Sequence, residues 1–233
     1  MIALWDIDGT LLRVDHGIGR EMYKKSFRTL FDVDVSDIVK DMSFAGRTDR
    51  GLVYEIIDAA SIPRAELDAV WTAFAADMAG HAKELITPST VTVLDGAIDA
   101  LHALQEQGIV NGLLTGNIDG IAQHKLEMAG IPLVFVGGAF GDDHEDRRDL
   151  PPRAIDAVNR ASGGSFATTD AVIIGDAIGD VVCARAHGIA CIAVTTGVHT
   201  AQELHEAGAT MVVDTLAPGA STASRLRQVL GYL

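Results

Sequence analysis

The sequence predicts an α/β fold with a doubly wound, mostly parallel sheet and a helical segment inserted near the N-terminus. Three observations lead there. Short apolar runs bounded by Gly, Asp or Thr recur along the chain, as the buried strands of a parallel sheet do. Segments with apolar residues every three to four positions lie between them, which is the spacing of amphipathic helices; strand and helix alternating in this way imply parallel strands joined by helical crossovers. One stretch, 16–86, breaks the alternation and is helical in pattern without a strand signal.

Taken in order, Ile2-Ala3-Leu4-Trp5 is the first expected strand. In the insertion, Ile18, Met22, Tyr23, Phe27, Leu30 and Phe31 trace one helical face, Leu52, Val53, Ile56 and Ile57 a second, and Val70, Phe74 and Met78 a third. Further strands are expected at Val110 to Leu114, Leu133 to Val136, Ala171 to Ile174, Ile189 to Val194 and Met211 to Val213. Ile98, Leu101 and Leu104, then Ile121 and Leu126, then Ala154, Ile155 and Val158 mark helices between those strands. The expected domains are a core of 1–15 with 87–233, and a helical domain of 16–86.

The 233 residues suffice for a sizeable core, and 48% hydrophobic with 21% charged residues is the composition of a globular protein. Lys and Arg total 18 against 32 Asp and Glu, a net charge of -14. Nucleic acid and anionic membranes would be repelled, whereas a small anion can still bind where local cations or a metal ion reverse the potential. The two cysteines, Cys183 and Cys191, sit in apolar stretches and are expected to be buried thiols. The start of the chain lacks the basic residues and long apolar run of a signal peptide, and no apolar run is long enough to cross a bilayer. The expectation is a cytoplasmic protein without membrane or nucleic-acid partners, either a monomer or a homodimer. Eight histidines show no H-E-x-x-H pattern and no Cys-His cluster, so no zinc site is expected.

Asp6-Ile7-Asp8-Gly9-Thr10 follows the first strand directly, where open α/β sheets place their ligands. Side chains alternate with period two, so an extended Asp6-Ile7-Asp8 aims both carboxylates the same way, and Gly9 permits a sharp turn. This pentapeptide resembles the first signature of the haloacid dehalogenase superfamily of phosphohydrolases, with its Rossmann-like core. The second signature is matched by Leu114-Thr115-Gly116-Asn117, and the fourth by Gly175-Asp176-Ala177-Ile178-Gly179-Asp180. The third is normally a lysine; none follows Lys125, so Arg147 or Arg148 must replace it, and the phrase leading into Asp146-Arg147 favours Arg147.

The resemblance implies a hydrolase of phosphoric monoesters, close to phosphoglycolate phosphatases, with a helical cap over the core. It implies Asp6 as nucleophile and Asp8 as general acid and then base. Magnesium would be held by Asp6, Asp176 and the backbone carbonyl of Asp8; Asp180 either joins them or caps the following helix, a place Asp favours. Thr115, Gly116, Asn117 and Arg147 would bind the phosphoryl oxygens of a small phosphorylated metabolite such as phosphoglycolate or a sugar phosphate. Gly46, Arg47 and Thr48 match the cap loop that sets specificity; Arg47 reads either as a ligand for a second anionic group or as a surface ion pair. Asp8 argues against carbon-halogen hydrolysis, whose enzymes lack that acid, and the absence of Lys between Lys40 and Lys83 argues against phosphonate cleavage. A sugar phosphomutase and a non-catalytic phosphate-binding module stand as alternatives.

Overall fold

The apolar runs pair into one sheet. In the computed structural model, which describes residues 1–217, its strands are β1 (Ile2–Trp5), β4 (Val110–Leu114), β5 (Phe135–Ala139), β6 (Ala171–Gly175), β7 (Ala190–Val194) and β8 (Met211–Val213), in the order β5-β4-β1-β6-β7-β8. Every neighbouring pair is parallel. The chain runs outward from β1 in both directions, so the crevice where the winding reverses opens at the carboxyl end of β1, between β4 and β6.

Period two sorts the strand side chains to two faces. Ala3 and Trp5 join Val172, Ile174 and Ile192 on one face, covered by Leu101 and Leu104 of α5 (Ala97–Glu106) and Ala122 and Leu126 of α6 (Asp119–Met128). Ile2 and Leu4 join Ile173 and Ala193 on the other, under Ala154 and Val158 of α7 (Leu150–Ser162), Val181 and Ala184 of α8 (Ile178–Ala186), and Leu204 of α9 (Ala201–Ala207). Among the described residues no helix is long and apolar enough to cross a membrane.

Between β1 and β4 the chain forms α1 (Ile18–Phe31), α2 (Ser36–Val39), α3 (Asp49–Ala59) and α4 (Arg64–Leu85). Their apolar faces make a third cluster around Phe27, Ile57, Phe74 and Met78, which Ile118 and Ile121 at the start of α6 complete. Phe27 meets Phe74 edge-on with centroids 5.1 Å apart, an arrangement aromatic pairs prefer. The helices are entered and left through an antiparallel ribbon of β2 (Leu12–Val14) and β3 (Val91–Val93). Sequence pattern gave no sign of these strands, because three residues are too few to display a period.

The strand expected at Leu133 to Val136 is displaced. Leu133 is 78% exposed, and β5 instead runs from Phe135 through Gly137 and Gly138 to Ala139. Those glycines look like strand breakers but are required by packing: a Cβ on Gly137 would lie 3.0 Å from the Ala157 backbone in α7, and one on Gly138 2.7 Å from the Leu113 Cβ in β4.

One polar bridge crosses the apolar layer. Trp5 Nε1 donates to Asn111 Oδ1 at 2.9 Å, and Asn111 Nδ2 donates to the Leu101 carbonyl at 3.2 Å. Asn111→Ala strands the buried indole N–H and is expected to cost about 1–3 kcal/mol, read as a lower urea midpoint; an unchanged midpoint would show that the bridge carries no net stability.

Candidate active site

The carboxylates arrive from two neighbouring strand ends. Asp6 N donates to the Ile174 carbonyl at 2.9 Å, continuing the β1–β6 ladder, after which Thr10, Leu11 and Leu12 all donate back to the Ile7 carbonyl and fold the chain over. Gly9, at φ +79°, has no alternative there, since a Cβ would meet the Asp176 carboxylate at 2.5 Å. Asp176 follows β6 directly, and Asp180 lies in the first turn of α8. One oxygen from each of Asp6, Asp176 and Asp180 lies within 4.8 Å of the others, and all three residues are buried.

Arg147 supplies the charge that holds this cluster together. It sits in a single helical turn before α7, and its Nη2 lies 2.5 Å from Asp180 Oδ1, 3.0 Å from Asp6 Oδ1 and 3.2 Å from the Leu114 carbonyl. Nε is buried without a partner. Arg148, the other candidate, is exposed and pairs with Asp146. Of the two roles expected for Asp180, the structure shows the cap: Oδ2 accepts from Ala177 N at 3.0 Å, satisfying the first turn of α8, while Oδ1 faces Arg147.

The turn after β4 brings a second set. Thr115 is fully buried, and its Oγ1 accepts from Asn117 Nδ2 at 2.8 Å; the same amide donates to Asp8 Oδ2 at 2.7 Å. The third member is Lys125, which the sequence reading passed over: its Nζ lies 2.6 and 2.8 Å from the two Asp8 oxygens and 2.6 Å from Asn117 Oδ1. A signal was present. Ile121, Ala122 and Leu126 form the buried face of α6, and Lys125 sits among them, a place a lysine occupies only when paired.

The helical insertion closes over this crevice through the segment before and at the start of α3. Thr48 Oγ1 donates to the Glu145 carbonyl at 2.6 Å and accepts from Gly51 N at 3.0 Å, so its hydroxyl is used up in holding the loop. Asp49 N donates to the Gly116 carbonyl at 2.7 Å, and Asp49 Oδ2 accepts from Ile118 N at 2.8 Å. Gly46, at φ +69°, rests on Gly179, and the Arg47 carbonyl lies where a Gly116 Cβ would be. Of the two readings for Arg47, the structure shows the ion pair: its guanidinium meets Glu55. Beneath lies a cavity of about 560 Å³, bounded by Asp6, Asp8, Asn117 and Arg147 below and by Arg20, Met22, Phe44 and Arg47 above.

Charge is unbalanced here. Arg147 faces Asp6 and Asp180, and Lys125 faces Asp8, but among the described residues Asp176 has only the Thr10 hydroxyl at 3.3 Å. Burial, with Asp6 and Asp180 adding repulsion, pushes Asp176 up to about 9. Burial likewise raises Asp6 to about 6, with Arg147 opposing and Asp180 and Asp8 reinforcing.

Residues 140–218 match a family model described as HAD-hydrolase-like, and the first and second signatures lie at the strand ends where such a site is built. Over residues 140–218 the chain is similar to the haloacid dehalogenase-like hydrolases. The chain is 29% identical over 206 residues to validoxylamine A 7'-phosphate phosphatase of Streptomyces hygroscopicus subsp. limoneus, covering 88% of this chain and 90% of that one. It is 22% identical over 204 residues to phosphoglycolate phosphatase of Agrobacterium fabrum, covering 84% and 81%. Two solved structures share the fold: β-phosphoglucomutase of Clostridium difficile, with TM-score 0.69, 15% identity and coverage of 100% and 98%, and CbbY of Rhodobacter sphaeroides in complex with phosphate, with 0.64, 19% and coverage of 94% and 96%.

The raised acids make the stability of this protein sensitive to pH. When folded it retains protons on Asp6 and Asp176 that the unfolded chain releases near the usual 3.8, so in chelator its stability should fall as pH rises from about 4 to about 9. Melting temperatures of wild type and Asp176→Asn across that range check this. The variant should show the shallower decline; equal slopes would contradict it.

Proposed function

We propose that the protein is a magnesium-dependent phosphatase that hydrolyses a small phosphorylated metabolite through an aspartyl-phosphate on Asp6, with the helical insertion as its cap. The observation that carries this is the gathering of Asp6, Asp8 and Asp176 with Arg147 at one strand end beneath the docked insertion. The acid set fits the metal. Its donors are hard oxygens, as magnesium prefers, and Asp176 lacks a cationic partner among the described residues. Asp6, Asp176 and the Asp8 carbonyl would hold the ion, with Asp180 behind them, already engaged by Arg147. Bound there, magnesium would neutralise charge between the nucleophile and the phosphoryl group.

The side chains divide the remaining work. A carboxylate oxygen of Asp6 attacks phosphorus, forming the acyl phosphate as the bond to the leaving oxygen breaks. Asp8 gives that oxygen a proton and then takes one from the water that attacks the phosphoenzyme, releasing inorganic phosphate and restoring Asp6. Arg147, the Asn117 amide and the Gly116 backbone meet the phosphoryl oxygens, where preorganised donors stabilise transferring charge. Thr115 supports them by holding Asn117.

The cavity favours the larger of the two substrate kinds. About 560 Å³ is the room of pockets for ligands well beyond a two-carbon ester, and Arg47, the residue to grip a glycolate carboxylate, is paired with Glu55. The upper wall presents Met22 and Phe44, which suits the faces of a sugar-like ring.

Hydrolysis of p-nitrophenyl phosphate tests the proposal. Turnover should require magnesium and vanish in chelator; Asp6→Asn should lose about 10³-fold or more, and Asp8→Asn about 10²- to 10⁴-fold. Phosphate release unaffected by Asp6→Asn would sink the mechanism, whereas phosphoryl exchange between sugar positions without release would indicate a mutase.

A further inference from the structure

Lys125 has 8% of its side chain exposed and lies on the apolar face of α6. Burying an ammonium costs free energy unless its protons are met. Three oxygens meet them: both of Asp8, at 2.8 and 2.6 Å, and Asn117 Oδ1 at 2.6 Å. An ammonium has three N–H donors, so none remains for a phosphoryl oxygen. Asn117 closes the ring by donating from Nδ2 to Asp8 Oδ2 at 2.7 Å and to Thr115 Oγ1 at 2.8 Å. Arg147 uses Nη2 on Asp6, Asp180 and the Leu114 carbonyl and does not reach Asp8. The cationic role that one lysine would fill is therefore divided, with Arg147 on the nucleophile and Lys125 on its neighbour two residues along.

We propose that Lys125 is a positioning residue for Asp8. It fixes the Asp8 carboxyl group and ties it to Asn117, which keeps the proton-handling group in register with the loop that receives the phosphoryl group. This role rests on the phosphatase reading above. It explains why a lysine interrupts the apolar face of α6, and why the Asp8 carboxylate, 43% exposed, is nevertheless held by three hydrogen bonds from two side chains. Because Lys125 acts through Asp8 and touches no substrate, removing it should cost only what Asp8 contributes.

A double-mutant cycle of wild type, Lys125→Met, Asp8→Asn and the combined variant tests this, with magnesium, on p-nitrophenyl phosphate and on an alkyl phosphate. Methionine keeps the apolar stem of lysine and drops the charge. Lys125→Met should lower kcat on the alkyl phosphate about 10- to 100-fold, with less loss on p-nitrophenyl phosphate, whose leaving group departs without a proton. KM should stay within about threefold of wild type, as expected when no ground-state contact is lost. In the Asp8→Asn background the second substitution should add nothing. Lys125→Arg, whose fork can span both Asp8 oxygens, should recover part of kcat; if Lys125→Met melts well below wild type, Lys125→Gln replaces it in the same cycle. Losses that multiply across the cycle, or a raised KM at constant kcat, overturn the role of Lys125 alone. Failure of the wild-type protein to turn over either ester overturns the phosphatase reading and this role with it.

Discussion

The structure is organised around a repulsion. Asp6, Asp176 and Asp180 are buried with carboxylate oxygens inside 4.8 Å of one another, an arrangement that an apolar surrounding opposes on two counts, desolvation and like charge. Arg147 makes it tenable. Its single Nη2 reaches Asp6, Asp180 and the last carbonyl of β4, so one guanidinium joins the ends of three chain segments that meet at the crevice. Arginine suits the position because it keeps its charge when buried; its proton affinity is raised by Asp180 and Asp6 against the opposing effect of burial. Among the described residues Asp176 is left without a cationic partner, and burial with repulsion from Asp6 and Asp180 makes it hold its proton.

Close approach is the second constraint. Gly9 and Gly197 both abut the Asp176 carboxylate, Gly175 abuts Asp180, and Gly46 of the insertion touches Gly179 at the start of α8. Side chains at these positions would push the acids apart or lift the insertion away. The insertion is thus seated by backbone on backbone, with Asp49 exchanging hydrogen bonds in both directions with residues 116–118. Tyr23 of α1 donates to the same carboxylate at 2.6 Å, so the helix that lines the cavity roof and the turn below it share one acid.

Much of this was legible in the sequence. The strands before Asp6, Thr115 and Asp176 were readable because they are short, mostly buried and mostly apolar runs ending in Asp, Thr or Gly, and the signatures fell in chain order. Arg147 was preferred over Arg148 on its local phrase, and only the second of the two lies exposed. Three things were hidden, each for a physical reason. The β2–β3 ribbon is made by pairing across the whole insertion, which leaves no local period. The start of β5 was misplaced because Gly137 and Gly138 answer to the nearness of α7 and β4 rather than to strand propensity. Lys125 escaped because its partner Asp8 lies 117 residues away, and a charged residue in a helix is ordinarily taken for a solvated one.

The position of β1 in the sheet also bears on how the molecule comes into being. Its two neighbours, β4 and β6, begin at Val110 and Ala171, so β1 is synthesised well before either strand it pairs with. Until both exist, Ile2, Leu4 and Trp5 have no apolar layer to enter, and contacts of such long sequence separation form late because loop closure precedes any reward. The helices of the insertion, whose contacts are local, can gather first. Asp6 is therefore carried by a segment synthesised before its partner strands and secured only with them, and the acid cluster is assembled only when the sheet around it is complete; a partly folded chain can contain every one of these acids and none of the crevice.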